Sequence, residues 1–362
     1  RVQIGKAIAG HNPAEKKTRA TAIKRARAHN IEWLIDEFID RYFAMKIRSP
    51  RTKAEYDRVL RKFCIPAWGN RPYAEITTDD ILALTYSVAE QTPVQANRLH
   101  SYLSKMFRWA RSTPMRDGKG RYLMSNPVGD AVKPADEVSR DRVLTPNEIR
   151  AVWYGCEKID NSYGRLMQFM LLVGQRKSEI SGMTADEINF QKGIWTIPAR
   201  RNKAKRVDDV RLSKLALRMI NQCIDEMEDG QRLIFSSERT GGEMSGWHKM
   251  KVRLDKASGC VHETDRDEDG KPLLLWGEKW TNHDLRRTLG TNMAELGVDR
   301  DVRERLLNHS AGTNTGDVHG TYNRFEYTKE KGEALELWAG KLTSILGLEP
   351  AENVVPLPTR AG

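Results

Sequence analysis

Cysteine, long apolar runs and nucleotide-binding glycine loops are all scarce in this sequence. Its four cysteines, Cys64, Cys156, Cys223 and Cys260, lie far apart and form no C-x-x-C pair. They are therefore expected to be structural thiols in a reducing compartment rather than disulfides or zinc ligands. No uninterrupted apolar run approaches the roughly 18–20 residues that span a bilayer, and no signal peptide is visible. The absence of a glycine-rich phosphate loop, a metal-ligand cluster or a Ser/His/Asp arrangement argues against an unrelated small-molecule enzyme.

Positive charge and chain length are the two global features that indicate a function class. Lysine and arginine number 60 against 49 aspartates and glutamates, which gives a net charge of +11 and a pI near 9.4. Such an excess favours a polyanionic partner, and nucleic acid is the commonest one. A chain of 362 residues exceeds one ordinary core, so two or three domains are expected. Because the first residue is Arg1 rather than methionine, we expect a fragment that lacks its native N-terminus.

Changes in periodicity divide the first part of the chain. Residues 1–30 form a basic N-terminal segment, expected to be a remnant of a longer region or a connecting helix. Apolar residues then recur at helical spacing and predict four helices between residues 31 and 111. Glycines, prolines and scattered charges interrupt this periodicity between Ser112 and Arg142. We therefore expect a helical domain over residues 31–133 and a linker over residues 134–143.

A second domain begins at a helix start that the sequence marks clearly. Thr145 and Glu148 have the spacing of a capping box, with a proline at the first helical position between them. This domain is expected to cover residues 144–347, and residues 348–362 are expected to be disordered. An apolar stripe over residues 334–342 fits two arrangements equally, packing on its own domain or docking on a neighbouring subunit.

Two stretches of the second domain place cations where they could meet a phosphate. A buried helix is expected to stop at Gly174 and to present Arg176, with Glu179 on the same face to hold its guanidinium. Further on, two strand-like segments flank the strongly basic residues 199–206. They predict a β-hairpin whose tip enters a groove or lies along phosphates.

The most specific motif lies around His283 and Arg286. Their separation of three residues places both side chains on one face of a helix. A second amphipathic helix is predicted to end at His309, and Tyr322 follows thirteen positions later, after a gap rich in small and polar residues. Two histidines and an arginine can share or move protons and neutralise charge, and a tyrosine can attack phosphorus.

These motifs resemble those of one family, the tyrosine recombinases, and more narrowly the phage and genomic-island integrases. The resemblance covers roughly residues 31–345 and is carried by these segments: Gly-Gln-Arg-Lys-Ser-Glu at 174–179, Arg-Asn-Lys at 201–203, His-Asp-Leu-Arg-Arg-Thr at 283–288, Leu-Leu-Asn-His at 306–309 and Thr-Tyr-Asn-Arg at 321–324. It implies a mainly α fold with a small β-sheet. An α-helical core-binding (SAM-like) domain would precede an α+β tyrosine recombinase catalytic domain. The gap before the tyrosine is longer than in many members, which leaves the path of that loop open.

The resemblance implies a role for each catalytic candidate. Six residues make up the predicted catalytic set: Arg176, Lys203, His283, Arg286, His309 and Tyr322. The two arginines would bind the scissile phosphate while the tyrosine attacks it, leaving a 3′-phosphotyrosyl link. One histidine, His283, would assist deprotonation of the tyrosine, His309 would donate a hydrogen bond to the phosphate, and Lys203 would protonate the departing 5′ oxygen. Three rivals stay open: Lys205 for the lysine, Arg287 for the second arginine and Tyr327 for the tyrosine.

The function implied is a site-specific DNA recombinase, an integrase that integrates or excises a mobile element by strand breakage and rejoining. Its partners would be double-stranded attachment sites and three further copies of itself on a Holliday junction, with accessory DNA-bending and directionality factors left open. The predicted DNA contacts outside the catalytic set are cationic: Arg51, Lys53, Arg98, Lys105, Arg201 and Lys205. A cytoplasmic, nucleoid-associated location is expected.

No cofactor or metal is expected, because the tyrosine mechanism stores bond energy in the protein–DNA link. The acidic stretch from Val261 to Lys279 lacks the spacing of a Ca²⁺ loop and is expected to be an exposed loop. Two alternatives to the recombinase remain. One is a type IB topoisomerase-like enzyme, and the other is a catalytically silent site-specific DNA-binding protein.

Overall fold

A computed structural model describes most of the chain. The residues described are 29–45, 49–115, 122–123, 125–129, 131–137, 140–203, 205–268, 270, 272–308 and 327–348. The chain divides into two compact units, Arg1–Ser139 and Arg140–Gly362, and the division falls inside the predicted linker. The remaining predicted domain bounds stay predictions, and the basic segment over residues 1–28 and the tail over residues 349–362 lie outside the described residues. Within the described ranges, no helix is long and apolar enough to cross a membrane.

Four α-helices form the described part of the first unit, as the apolar spacing predicts. They are α1 (Ile31–Met45), α2 (Pro50–Trp68), α3 (Thr78–Ala89) and α4 (Pro93–Ser112). The polar ends of these helices follow from local chemistry. Ser49 accepts a hydrogen bond from the Thr52 amide at the start of α2, and Thr77 forms a capping box with Asp80 at the start of α3. Fully buried residues such as Phe38 join the helices in one core.

In its described residues, the second unit contains both α-helices and β-strands. They are α5 (Pro146–Ile159), α6 (Ser162–Val173), α7 (Lys177–Ile180), β1 (Ile188–Asn189), β2 (Ile194–Ile197), β3 (Asp208–Arg211), α8 (Lys214–Asp225), α9 (Trp247–Ala257), β4 (Val261–Arg266), β5 (Pro272–Leu274), α10 (Asn282–Glu295), α11 (Arg300–Leu306) and α12 (Thr328–Leu346). Thr145 and Glu148 form the predicted capping box of α5. Mainly helical units with small sheets match the predicted fold class, which is confirmed.

The predicted basic hairpin is present. Strands β1, β2 and β3 form an antiparallel sheet in that order, and Ile194 pairs with Arg211 while Ile197 pairs with Asp208. Trp195 on β2 is fully buried and anchors the sheet in the core. Since β2 ends at Ile197 and β3 begins at Asp208, the cationic residues 199–206 lie at the turn between them.

The expectation of an exposed loop from Val261 to Lys279 is wrong. Strand β4 pairs with β5 in a separate two-stranded antiparallel sheet, and Gly270, with φ of 74°, donates a backbone hydrogen bond to the Asp267 carbonyl at the turn. Val261 at the start of β4 and Leu274 at the end of β5 pack against the core, while Arg266 at the end of β4 is exposed. A charged strand of this kind has no apolar alternation from which it could be predicted.

The apolar stripe that follows the tyrosine packs on its own unit. Within α12, Leu335, Trp338 and Leu342 are fully buried. The Trp338 indole Nε1 donates to the Leu171 carbonyl of α6 at 2.8 Å. Of the two arrangements that the sequence left open, the structure shows the first for Thr328–Leu346.

Candidate functional site

Arg176 is held in place by a sharp turn after α6 and by two acceptors. Gly174 ends α6 at φ of 65°, and a Cβ there would lie 3.0 Å from both terminal carbons of Leu289. The buried Glu179 carboxylate accepts from the Arg176 amide and from its Nη1, both at 2.9 Å. The other terminal nitrogen, Nη2, donates to the Asn308 carbonyl at 2.8 Å. As predicted, Glu179 orients the guanidinium, which is 24% exposed.

Arg286 is a buried cation with unused donors. Its side chain lies on α10 and is 2% exposed, and Nη1 donates to the Gly174 carbonyl at 2.7 Å. Neither Nε nor Nη2 has a hydrogen-bond partner among the described residues. Burial, followed by repulsion from the Arg176 cation, lowers the pKa of Arg286 to about 10. A guanidinium in this state has two hydrogen bonds and a charge to offer to an anion.

His283 lies one helical turn before Arg286, in the first turn of α10, and its side chain is exposed. The neighbouring arginine has a different environment. Arg287 Nη1 donates at 3.0 Å to Asp284, whose carboxylate is fully buried and also caps the helix through Thr281. The geometry therefore favours Arg286 over Arg287 as the phosphate ligand, because Arg287 is already paired.

The basic hairpin reaches the arginines through its buried side chains rather than through its lysines. Lys203 and Lys205 are both exposed, and Lys205 has a left-handed backbone with φ of 56°. By contrast, Arg201 donates to both oxygens of the Glu187 carboxylate, with Nη1 to Oε1 at 2.9 Å, and it also contacts the Gly182 carbonyl. Arg201 thus has an intramolecular partner, and its DNA contact stays a prediction.

Asn308 is the residue that sequence reasoning missed. It lies in the Leu-Leu-Asn-His segment, is 1% exposed and has φ of 45°. Its carbonyl accepts from Arg176, its Oδ1 accepts from Arg206 at 3.1 Å, and its Nδ2 donates to Asn202 Oδ1 at 2.9 Å. The one available signal was an asparagine at a helix end, where left-handed backbone is tolerated.

Two of the predicted catalytic residues, His309 and Tyr322, lie outside the described residues. The rival tyrosine, Tyr327, is described and sits at the N-terminal cap of α12 with φ of 52°. Its ring packs against the core, and the Arg305 guanidinium carbon lies 5.0 Å from the ring centroid. These contacts assign Tyr327 a place in the packing of α12, so Tyr322 remains the predicted nucleophile.

The predicted DNA contacts of the first unit lie on two helices. Arg51 and Lys53 are exposed on α2, Arg98 is exposed on α4, and Lys105 of α4 is half-buried. Lys53 lies 3.7 Å from Asp40, and Arg98 lies 3.4 Å from Glu55. Exposed pairs of this kind are weak and exchange readily for a phosphate. The DNA role of these cations stays a prediction.

Cysteines and acidic groups give no metal site within the described ranges. All four cysteines are buried free thiols. No group of three His, Cys, Asp or Glu side chains in the described parts of the chain could hold a metal ion.

Family models match both units of this chain. The model of the phage integrase family matches residues 142–324, and the model of the phage integrase central domain matches residues 32–122. The chain belongs to the phage integrase family. Among its relatives, prophage integrase IntA of Escherichia coli (strain K12) is 23% identical over 285 residues, which cover 78% of this chain and 63% of the relative. Tyrosine recombinase XerA of Pyrococcus horikoshii is 26% identical over 304 residues, covering 75% of this chain and 98% of the relative.

Solved structures of phage integrases share the fold of this family member. A lambda integrase dimer bound to a COC′ core site has a TM-score of 0.61 at 21% identity and covers 80% of this chain and 98% of that chain. A lambda integrase tetramer bound to a Holliday junction has a TM-score of 0.60 at 19% identity, covering 90% and 85%. The predicted family is confirmed by these comparisons, and the predicted fold with it. The chain spans less than two thirds of the length of IntA, so its activity and partners are taken up below as a proposal.

Proposed function

We propose that this integrase-family protein is a site-specific DNA recombinase, which cleaves and rejoins DNA through a 3′-phosphotyrosyl intermediate and so integrates or excises a mobile element. The observation that carries the proposal is Arg286. A buried cation with two donors that lack partners in the described structure, beside the second cation of Arg176, is costly unless an anion joins it. A phosphodiester supplies two non-bridging oxygens and a negative charge for Arg286, whose neighbour Arg176 is already paired with Glu179.

The reaction follows from the placement of the two arginines. Arg176 and Arg286 would neutralise the phosphodiester and stabilise the pentacoordinate transition state. The Tyr322 oxygen would bond to phosphorus as the bond to the 5′ oxygen breaks, and His283 would assist removal of the phenolic proton. Lys203 would protonate the 5′ oxygen, and His309 would donate to the phosphate. A 5′-hydroxyl of the partner strand could then reverse the step and reseal the DNA, without a cofactor or metal.

The partners proposed are double-stranded attachment sites and further copies of the same chain. Support comes from the likeness to lambda integrase, whose solved structures include a tetramer on a Holliday junction. We place the DNA contacts on Arg51, Lys53, Arg98, Lys105 and Lys205, where the cations reach solvent. Accessory DNA-bending and directionality factors remain open. With DNA as its substrate, the protein is proposed to act in the cytoplasm, in association with the nucleoid.

A covalent-trapping experiment tests this function. The protein selects its own binding site from a pool of randomised duplexes, and that site is rebuilt as nicked suicide duplexes from which the cleaved fragment diffuses away. We expect a covalent adduct on a denaturing gel in the presence of EDTA, lost in Tyr322→Phe and retained in Tyr327→Phe. Binding without any adduct would favour the silent DNA-binding alternative. Relaxation of plasmids that lack the site would favour the topoisomerase-like alternative.

A further inference from the structure

Asn308 connects one predicted catalytic arginine, through its main-chain carbonyl, to the hairpin that carries the predicted catalytic lysine, through its side chain. Its carbonyl holds Arg176, while its amide group bonds to Asn202 and Arg206, which flank Lys203 on either side. Asn308 and Asn202 are each 1% exposed, so their hydrogen bond at 2.9 Å is shielded from water. Hydrogen bonds in such surroundings are directional and are costly to leave unmade.

Lys203 follows two residues, Arg201 and Asn202, that the fold holds in place. On one side Asn202 is buried, and its carbonyl accepts from the Lys205 amide at 3.0 Å, which closes the turn. The preceding residue, Arg201, is tied to Glu187. Lys203 itself is exposed. The contacts of Arg201 and Asn202 therefore hold the turn, while the Lys203 side chain is exposed to solvent. This arrangement suits a residue that must reach a reacting atom.

We infer that Asn308 and Asn202 are positioning residues, which dock the hairpin tip on the arginine site and so hold Lys203 at the departing 5′ oxygen. The inference rests on the proposed function for the role of Lys203, whereas the docking itself rests on the observed contacts. Proton transfer to a leaving group depends steeply on placement, so a tip that is not docked would lose general-acid catalysis while phosphate binding by the arginines persists.

An alternative is that Asn308 serves only its own turn. A left-handed residue after α11 could be asparagine for conformational reasons alone. Asn308→Gly distinguishes docking from a purely conformational role. Glycine tolerates the left-handed backbone and keeps the carbonyl that accepts from Arg176. The side-chain bonds to Asn202 and Arg206 are removed. Asn202→Ala removes the partner from the hairpin side, and Asn202→Asp keeps an acceptor for the Asn308 amide.

Hydrogen exchange of the DNA-free protein tests the docking independently of any activity. The Asn202 and Lys205 amides donate to the Pro198 and Asn202 carbonyls in the folded turn. We expect peptides that cover residues 199–206 to exchange about tenfold faster in Asn308→Gly and Asn202→Ala than in the parent. Asn292→Ala is the matched control, since Asn292 is buried and its side chain donates to the Thr288 carbonyl of its own helix, away from the hairpin. Unchanged exchange in both hairpin variants would overturn the docking.

A pair of suicide duplexes tests the connection to Lys203. One carries the ordinary 5′ oxygen at the scissile bond and the other a 5′ sulfur, which leaves as a thiolate without needing a proton. We expect Asn202→Ala and Asn308→Gly to slow adduct formation about tenfold on the oxygen duplex and less than about twofold on the sulfur duplex. The double variant should be no slower than the slower single one, and Asn202→Asp should recover most of the rate.

The outcomes separate this inference from the proposed function. Lys203→Ala is the reference, with an expected loss of about 10²-fold or more on oxygen and little on sulfur. Equal slowing of both duplexes by Asn202→Ala and Asn308→Gly would show that these residues do not act through the lysine, and would overturn the inference. Failure of the parent protein to form an adduct with either duplex would instead refute the proposed function, while the exchange measurement would still decide the docking.

Discussion

At the scale of single residues, Arg286 is expected to support the proposed activity and to lower the stability of the DNA-free protein. Its guanidinium is buried near Arg176 and makes one hydrogen bond, to Gly174, within the described structure. We predict that Arg286→Met slows adduct formation at least about 10²-fold, because a phosphate ligand is lost. The same change should raise the free energy of unfolding of the DNA-free protein by about 1 kcal/mol, since the cost of burying an unpaired cation exceeds one hydrogen bond. Urea unfolding and the trapping assay measure the two effects.

Arg287→Met is the matched control for this prediction. Its guanidinium pairs at 3.0 Å with the fully buried Asp284 carboxylate, so its removal leaves that buried charge with the more distant Arg140, at 3.5 Å, as its remaining cation within the described residues. We expect Arg287→Met to lower the free energy of unfolding by about 1–3 kcal/mol. Loss of stability in both variants would contradict the view that Arg286 is poised for an absent anion.

The sequence alone predicts the two site arginines better than it predicts the residues that hydrogen-bond to the arginines of the site. Arg286 with His283 is predictable because helical spacing places such a pair on one face. Arg176 with Glu179 is predictable because the residue before a helix lies close to the third residue of that helix. Asn308 was not singled out, because its three partners lie more than a hundred residues away along the chain. Arg201 was predicted to contact DNA from its cationic surroundings, yet an acid fourteen residues earlier, Glu187, is its partner in the fold. Long-range pairing of this kind leaves no local trace in a sequence.

At the scale of elements, the caps were predictable and the second hairpin was not. Thr145 heads its capping box as expected, because a cap depends on residues only three positions apart. Strand β4 depends on pairing with β5 and carries charges that disguise it. The hydrogen bonds of a helix cap depend on residues close together in the sequence, so they can be predicted from it. A charged hairpin depends on its contacts with other elements, which the local sequence does not show.

The cap of α3 gives a prediction with a defined pH dependence. The Arg71 guanidinium donates to Asp80, which lowers the pKa of that carboxyl to about 2, and the Thr77 amide and hydroxyl add to the effect. Because the folded-state pKa lies below the unfolded value of about 3.9, the ionised carboxylate stabilises the protein above that value. The contribution is lost as the pH falls from about 4 towards 2.

We predict that Asp80→Asn lowers the stability of α3 by about 1 kcal/mol at pH 7, a modest value because the Arg71–Asp80 pair is partly exposed. The deficit should shrink as the pH falls below about 4. Pulse-labelling hydrogen exchange on peptides from Thr78–Ala89, during urea unfolding of the full chain, follows this helix alone. Asp79→Asn, an exposed acid in the same turn, is the control and should have little effect. A deficit that persists unchanged at pH 3 would contradict the assignment to an ionised carboxylate.

At the scale of the whole molecule, the net charge of +11 should appear in the salt dependence of DNA binding. Each cation that neutralises a phosphate releases counterions and adds close to one unit to the slope of log K against log salt. Arg51 is exposed and has no ion pair within the described residues, whereas Arg201 is bound to Glu187. Arg51 and Arg201 carry the same formal charge but are therefore expected to contribute unequally to the slope of log K against log salt.

We accordingly expect Arg51→Ala to reduce the slope by about 1, and Arg201→Ala to leave it nearly unchanged. Fluorescence anisotropy between about 50 and 200 mM salt, on the duplex selected by the protein, measures both slopes. The loss of the Glu187 pair should instead appear as a lower free energy of unfolding for Arg201→Ala, because a nearly buried carboxylate is left without its cation. An equal drop in slope for Arg201→Ala would mean that DNA draws this arginine away from Glu187, so that the hairpin would rearrange on binding.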